Sequence, residues 1–328
     1  MQWRSKASNN IILNRALMLK SIRAFFEVRN VIEVETPLLS RYSTTDPHLD
    51  SLQTSFRGQP YYLNTSPEYA MKRLLAGWQQ AIFQICKAFR DDALGQVHNT
   101  EFTLLEWYRP GFDMSQLMDE LERLIESLWR ALAVEKDVPA VKFERLSYQQ
   151  AFENATGLNP HQTDSMQCYQ YAKDNGVEIP QGLDATDDVN EWLDWLLTQV
   201  VAPGFCDDGF TYLYDYPAAQ CALAKIMMDA QQQDVAKRFE LFFGELELAN
   251  GFWELSDADE QLLRFQREND KRQKSGKQPA IIDQHLIAAL KSGLPDCSGV
   301  AVGLDRLLMV LLGVTHIDKV LSFAGDDN

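Results

Sequence analysis

The chain has no Cys-x-x-Cys pair, no long apolar run and no excess of basic charge. Its five cysteines (Cys86, Cys168, Cys206, Cys221 and Cys297) are scattered and odd in number. That pattern suggests neither a zinc site nor a disulfide framework, and it fits a reducing compartment. No stretch approaches the ~18 uninterrupted apolar residues of a membrane helix. The best candidate, Leu307 to Val314, is far too short. The N-terminus carries Arg4 and Lys6 but leads into Ile11-Ile12-Leu13-Asn14-Arg15, which is no signal-peptide core. A cytoplasmic location is therefore expected. With 31 basic against 47 acidic residues the net charge is −16, the wrong sign for a protein that sheathes nucleic acid. A Walker loop is missing, since Gly-Lys-Ser/Thr does not occur. There is no internal repeat and no low-complexity linker.

What remains is an ordinary globular composition. Of 328 residues, 45% are hydrophobic and 24% charged, enough for a sizeable core. Ile12, Ala16, Leu19, Ile22 and Phe26 recur at helical spacing and predict a helix over residues 9 to 29. A short strand from Val31 to Thr36, stopped by Pro37, follows. Strands are expected at Ser51–Phe56, Tyr61–Asn64, Ala81–Phe89 and Phe102–Tyr108. Between them Ser66-Pro67-Glu68 opens a helix, with Ser66 as cap and Gly77 as stop. A long helix spans Met114 to Val134, and three more lie between Ser147 and Val201. From Asp174 to Ala224 there are ten acidic residues and no Lys or Arg. A solvated acidic insertion, at about residues 160–210, is favoured there over a docking face for a basic partner. Strands resume at Thr211–Tyr216 and from Phe239 to Leu255, with a turn at Gly244. Ser256-Asp257-Ala258-Asp259 reads as a capping box that opens a helix to Lys274. Another helix near Ile282–Ser292 ends at Gly293. The strand Gly299–Gly303 leads into a helix from Leu304. The whole predicts an α+β fold with a mostly antiparallel sheet.

Four segments could carry chemistry. Arg90 closes one strand, a polar loop follows, and Phe102 opens the return strand. An arginine fork suits phosphate, and the aromatic could stack a base. From spacing alone a surface arginine and a core phenylalanine remain favoured. Phe102, Leu104, Glu106 and Tyr108 share one sheet face. Glu106 there reads either as half of an internal ion pair or as a carboxylate awaiting a cationic ligand. In Arg238 to Glu254, four carboxylates lie among apolar strand residues. A turn at Gly244 returns Glu247 beside Glu240, where two carboxylates facing a triphosphate would hold Mg²⁺. Each glutamate singly could instead be an exposed edge residue. Gly299 to Gly303 allows close approach to the backbone, and Arg306 sits in the first turn of the next helix. Alone, that segment reads as well as tight strand–helix packing.

Together, and in this order, the segments resemble the three signature motifs of class II aminoacyl-tRNA synthetases. The first is the helix and strand ending at Pro37, the second Phe89-Arg90 through Phe102, the third Gly299 through Arg306. Within the class the chain is most similar to lysyl-tRNA synthetase. Thr65-Ser66-Pro67-Glu68-Tyr69, His98-Asn99-x-Glu101-Phe102-Thr103, Glu106-x-Tyr108 and Asn250-Gly251-Phe252-x-Glu254-Leu255 all match. Two departures stand out. The chain begins directly at the first motif, which leaves no room for the synthetase's N-terminal OB-fold domain. And where the synthetase has Gly-Leu-Gly-x-Gly, this chain has Gly299-Val300-Ala301-Val302-Gly303. Both are features of the elongation factor P lysine ligase family, as are Leu105 to Pro110 and Pro295 to Ala301. A third departure is Arg90-Asp91-Asp92 in place of the usual Arg-x-Glu.

The resemblance implies a single class II synthetase-like catalytic domain over residues 1–328. It implies ATP and Mg²⁺ as cofactors, and it implies that (R)-β-lysine is adenylated and passed to a lysine of elongation factor P. Arg90 and Arg306 would be the catalytic pair, on the α- and γ-phosphates. Asp91, Asp92, His98, Asn99, Phe102, Glu247, Leu248 and Gly303 would complete the ATP site. Ser66, Pro67, Glu68, Glu106, Tyr108, Asn250, Glu254 and Ala301 would bind the amino acid, with Ala301 at the pocket floor. Glu240 and Glu247 would carry the metal. A homodimer through the first helix is implied; neither membrane nor tRNA is expected as a partner. Two other readings stay open: a synthetase-like enzyme that activates α-lysine, and a non-catalytic regulatory paralogue.

Overall fold

The computed structural model describes residues 4–132 and 141–325. The first helix, α1 (Asn9–Glu27), is capped by Ser8 and buries Met18, Ile22, Phe25 and Phe26 along one stripe. β1 (Ile32–Glu33) is shorter than the predicted strand. It pairs in parallel with a later strand, and the Val34 N–H adds one more bond, to the Phe83 carbonyl. The chain then leaves the sheet towards Pro37, which has no N–H to offer. β2 (Leu39–Ser40), β3 (Gln53–Phe56) and β4 (Gln59–Leu63) form a small sheet in the order β2-β4-β3.

α2 (Glu68–Trp78) starts after Pro67, and the Ser66 hydroxyl accepts from the Glu68 N–H at 3.3 Å. Gly77 does not stop this helix as predicted. It lies inside, and Gln79 ends it in the left-handed region at φ +54°. β5 (Ile82–Phe89) and β6 (Glu101–Pro110) form an antiparallel pair on either side of the polar loop. α3 (Met114–Leu132) buries Leu117, Leu121, Leu124, Ile125 and Leu128. Its predicted end at Val134 lies outside the described residues.

β7 (Phe143–Ser147) is followed by α4 (Tyr148–Thr156), α5 (Ser165–Asp174) and α6 (Val189–Leu196), the three helices expected there. Two acidic residues, Asp164 before the acidic run and Asp188 within it, have a local cause. Asp164 and Asp188 cap α5 and α6 by accepting from the Gln167 and Asn190 N–H groups, where a helix start favours a carboxylate. β8 (Phe210–Pro217), β9 (Ile226–Met228), β10 (Asp234–Phe243) and β11 (Leu246–Trp253) come next. Gly244 turns β10 into β11 at φ +52°. α7 (Ala258–Lys274) is capped by Asp257 rather than by the predicted Ser256 box. On α7, Glu268 accepts from the Thr45 hydroxyl, and burial pushes its carboxyl up to about 7. α8 (Gln284–Gly293), β12 (Cys297–Gly303) and α9 (Leu304–Leu312) complete the chain.

The chain divides into two compact units. One takes the described residues of 1–139 and 254–328, the other those of 140–253. In the first, strands run β1-β5-β6-β12, antiparallel except at β1. One face of this sheet is the core: Phe26 stacks on Phe83 at 4.5 Å and leans on Trp107 at 5.3 Å. The other face carries Glu106 and its neighbours. In the second unit strands run β11-β10-β8-β7, with β9 also on β10, antiparallel except for β7 with β8. Its core gathers Tyr148, Phe152, Trp192, Leu196, Tyr216 and Phe242. The α+β, mostly antiparallel expectation holds.

Candidate active site

The register of β5, β6 and β12 sets out one polar face in rows. Ile82, Tyr108 and Gly299 form one row; Gln84, Glu106 and Ala301 the next; Cys86, Leu104 and Gly303 the third. Phe102 follows beside Ala88. Residues opposite each other in an antiparallel pair point to the same side, so the alternation read from the sequence becomes a site. Ala301 stands directly across from Glu106. Gly299 has a steric reason: a Cβ there would lie 2.4 Å from the Tyr108 ring and 2.7 Å from the Glu254 carboxylate.

Glu106 is 2% exposed and Glu254 1% exposed. The Tyr108 hydroxyl donates to Glu106 Oε1 at 2.7 Å, whereas Glu106 Oε2 is buried with no partner among the described residues. Burial, reinforced by Glu68 and Glu254, drives the Glu106 carboxyl well above the usual carboxylate range. The Tyr108 phenol is raised as well, by burial and by Glu106. No sequence motif pointed to the cation among these carboxylates. Lys72, on α2, is 2% exposed and places Nζ 2.7 Å from Glu68 and 2.6 Å from Glu254. Burial alone would lower its ammonium; the two carboxylates outweigh that and hold it above the ordinary lysine value. Three carboxylates therefore share one resident cation.

Farther along the same face, the Arg90 guanidinium lies 5.1 Å from the centre of the Phe102 ring, and its Nε is buried without a partner among the described residues. The two predicted ATP contacts are thus together. Arg306, in the first turn of α9, donates from Nε to the Val97 carbonyl at 3.1 Å and lies 2.7 Å from His98 Nε2. Partial desolvation and the Arg306 charge lower the His98 imidazole, which leaves it neutral and able to accept from that arginine. The neighbouring Asp305 is buried. It accepts from Arg15 of α1 at 2.7 Å and from the Thr103 N–H at 2.6 Å, and Arg15 also donates to the Thr103 hydroxyl at 2.7 Å. The three motifs meet in this triangle. Asp91 and Asp92 are exposed on the loop. Asn99 uses its amide locally, donating to the Glu101 carbonyl at 2.6 Å and accepting from the Gly325 N–H at 2.9 Å.

The second unit holds the remaining predicted residues on its β10–β11 hairpin. Glu240 pairs across with Asn250 and Phe242 with Glu247, because the register skips Leu248. This bulge keeps Glu247 on the face of Glu240 and Asn250; an unbroken register would have turned it away. It also leaves Leu248 without a partner on β10. The buried Glu240 is ion-paired with the half-buried Arg238, whose guanidinium lies 4.4 Å from the Tyr216 ring centre. Among the described residues no three His, Cys, Asp or Glu side chains cluster as a metal cage. Two carboxylates on one face still fit Mg²⁺, which usually keeps waters and phosphate oxygens in its shell.

Comparison with known families matches residues 1–327 to the class II tRNA synthetases (D, K and N). The chain belongs to this family. Among class II relatives it is 43% identical to an elongation factor P--(R)-beta-lysine ligase from Photobacterium profundum, covering 99% of this chain and 98% of that one. Proteins of the same name from Salmonella arizonae and Haemophilus ducreyi are 41% and 40% identical, over 99% and 98% of this chain and 98% and 96% of theirs. Four residues of this site were not singled out from the sequence, although Arg15 and Asp305 lie within the first and third motifs. Lys72, four residues after Glu68, reads as half of a surface helix pair. Asp305 and Arg15 are distant in sequence. Gln84 sits inside an apolar strand, and that buried amide was the one readable signal.

Proposed function

We propose that the chain is an ATP-dependent, AMP-forming ligase that adenylates (R)-β-lysine and transfers the β-lysyl group to the ε-amino group of a lysine on elongation factor P. The observation that carries it is the group of Glu68, Glu106 and Glu254 around Lys72, with Ala301 across from Glu106, in a chain similar over nearly its whole length to ligases so named. Glu68, Glu106 and Glu254 against Lys72 leave a surplus of two negative charges when all are ionised, which suits a substrate with two ammonium groups. Uncharged isosteres would leave those groups buried and unpaired.

The substrate carboxylate attacks the α-phosphorus of ATP, an oxygen–phosphorus bond forms, and pyrophosphate leaves. No protein nucleophile is required. Arg90 stabilises charge on the α-phosphate, Arg306 binds the γ-phosphate, and Phe102 stacks on adenine beside Asp92, Gly303 and the Leu248 peptide. His98 holds Arg306 ready. Glu240 and Glu247 would hold Mg²⁺, which when bound offsets phosphate charge. Ser66, Pro67 and Asn250 complete the amino-acid site. In the second step a neutral lysine amine attacks the acyl carbon, and AMP leaves.

We further read the chain as a cytoplasmic homodimer with one catalytic domain. α1 supports the dimer: opposite its buried stripe it exposes Ile12, Leu13 and Leu17. Among the described residues no helix is long and apolar enough to cross a membrane. The deciding experiment is ATP–pyrophosphate exchange with (R)-β-lysine and α-lysine at matched concentrations, followed by the intact mass of elongation factor P. Strong preference for β-lysine and a mass gain of one β-lysyl group are expected. Preference for α-lysine, or no exchange, overturns the reading.

A further inference from the structure

We infer that Gln84 is a further specificity residue of the amino-acid pocket, accepting a hydrogen bond from the same substrate ammonium that Glu106 binds. This rests on the amino-acid pocket proposed above. Gln84 and Glu106 are directly paired across β5 and β6, on the face that Ala301 completes. Side chains so placed start with Cβ atoms about 5 Å apart. Gln84 is 2% exposed, and its Oε1 is buried with no partner among the described residues. The neighbouring orphan is Glu106 Oε2. Two buried acceptors side by side call for a donor, because an unpaired buried polar atom is costly to keep.

The charge around them decides what kind of donor. Lys72 reaches Glu68 and Glu254, and no contact ties it to Glu106. Cys86, two residues along β5, is a neutral thiol, its acidity suppressed to about 12 by burial. Among the described residues no cation reaches Glu106 at hydrogen-bond range; Lys72 acts on it from a distance. A group with several N–H donors and a positive charge, a primary ammonium, satisfies both oxygens at once. An amide suits this place better than a second carboxylate: it adds an acceptor oxygen without adding like charge next to Glu106. It favours a full ammonium over a hydroxyl, which has one proton to donate.

The test is ATP–pyrophosphate exchange by the full-length protein, with whichever of β-lysine or α-lysine drives exchange in the wild type. If α-lysine does, the β-lysine assignment falls while Gln84 is still tested; if neither does, both fall. For Gln84→Leu the amino-acid KM is expected to rise about ten- to a hundredfold, the worth of one hydrogen bond to a charged group. The ATP KM should stay within twofold. The melting temperature should hold or rise, since an orphaned buried amide is removed. Gln84→Glu retains the acceptor but adds like charge beside Glu106, and should recover only part of the amino-acid KM. An amino-acid KM within twofold of wild type in Gln84→Leu overturns the inference. So does a fall in melting temperature with both KM values rising together, or a Gln84→Glu variant as impaired as Gln84→Leu.

Discussion

Replacing Lys72 by methionine removes the cation that Glu68 and Glu254 share and leaves the carboxylates facing one buried space. Truncating one partner of a buried ion pair costs about 3–5 kcal/mol, because the remaining charge stays desolvated. For a chain of 328 residues the unfolding entropy is about 0.7 kcal/mol per degree, so the melting temperature should drop by roughly 4–7 °C. The loss should depend on pH with a definite sign. Without Lys72 the carboxylates take up protons more readily when folded than when unfolded. Stability is then retained at low pH and lost as pH rises through the elevated folded pKa. The deficit against wild type should accordingly be largest above neutrality and shrink towards pH 5. A diammonium ligand should compensate, so the melting gain from saturating β-lysine should be larger in the variant than in the wild type. Thermal melts from pH 5 to 9, with and without β-lysine, measure all three effects. A variant that melts within 1 °C of wild type throughout would refute the picture of Lys72 as the resident counter-ion.

Arg90→Ala should abolish adenylate formation, a loss on the order of 3–4 kcal/mol of transition-state stabilisation; near-normal pyrophosphate exchange would remove Arg90 from the mechanism. Ala301→Gly takes away the methyl opposite Glu106 and should shift preference towards α-lysine; an unchanged α/β ratio of kcat/KM argues against the floor assigned to Ala301. Glu268 is pushed up to about 7 by burial, so it weakens the fold as pH rises from about 4.5 to 7, by at most about 3 kcal/mol. Glu268→Gln should flatten that slope and raise the melting temperature at pH 8, and a slope identical to wild type would show that Glu268 is not its source.

Much of the site was legible because strand alternation is local. Once Phe102, Leu104, Glu106 and Tyr108 are assigned to one strand, their common face follows, and the small residues from Gly299 to Gly303 fall opposite them. Pairings between distant segments were not legible. Nothing in the sequence ties Arg15 to Asp305, or says that Lys72 turns inward to bridge Glu254 as well as Glu68, one helical turn away. Element ends were also hidden. Gly77 looks like a stop, yet the helix continues to Trp78 and ends through Gln79, a residue whose left-handed conformation no composition rule predicts. Asp257 outcompetes Ser256 as a cap because its carboxylate reaches two N–H groups at once, those of Asp259 and Glu260.

The skipped residue in the β10–β11 register separates two roles in one hairpin. Deleting Leu248 would restore an even ladder in which Glu247 still faces the side of Glu240, since the register already sets Glu247 opposite Phe242. What the deletion removes is a peptide that belongs to neither rung. Carboxylate placement is thus a matter of parity, while the loose peptide is a matter of length. A chain shortened by that one residue would keep both acidic side chains in place and lose the extra peptide proposed to meet the adenine, a distinction that no point substitution at Leu248 can make.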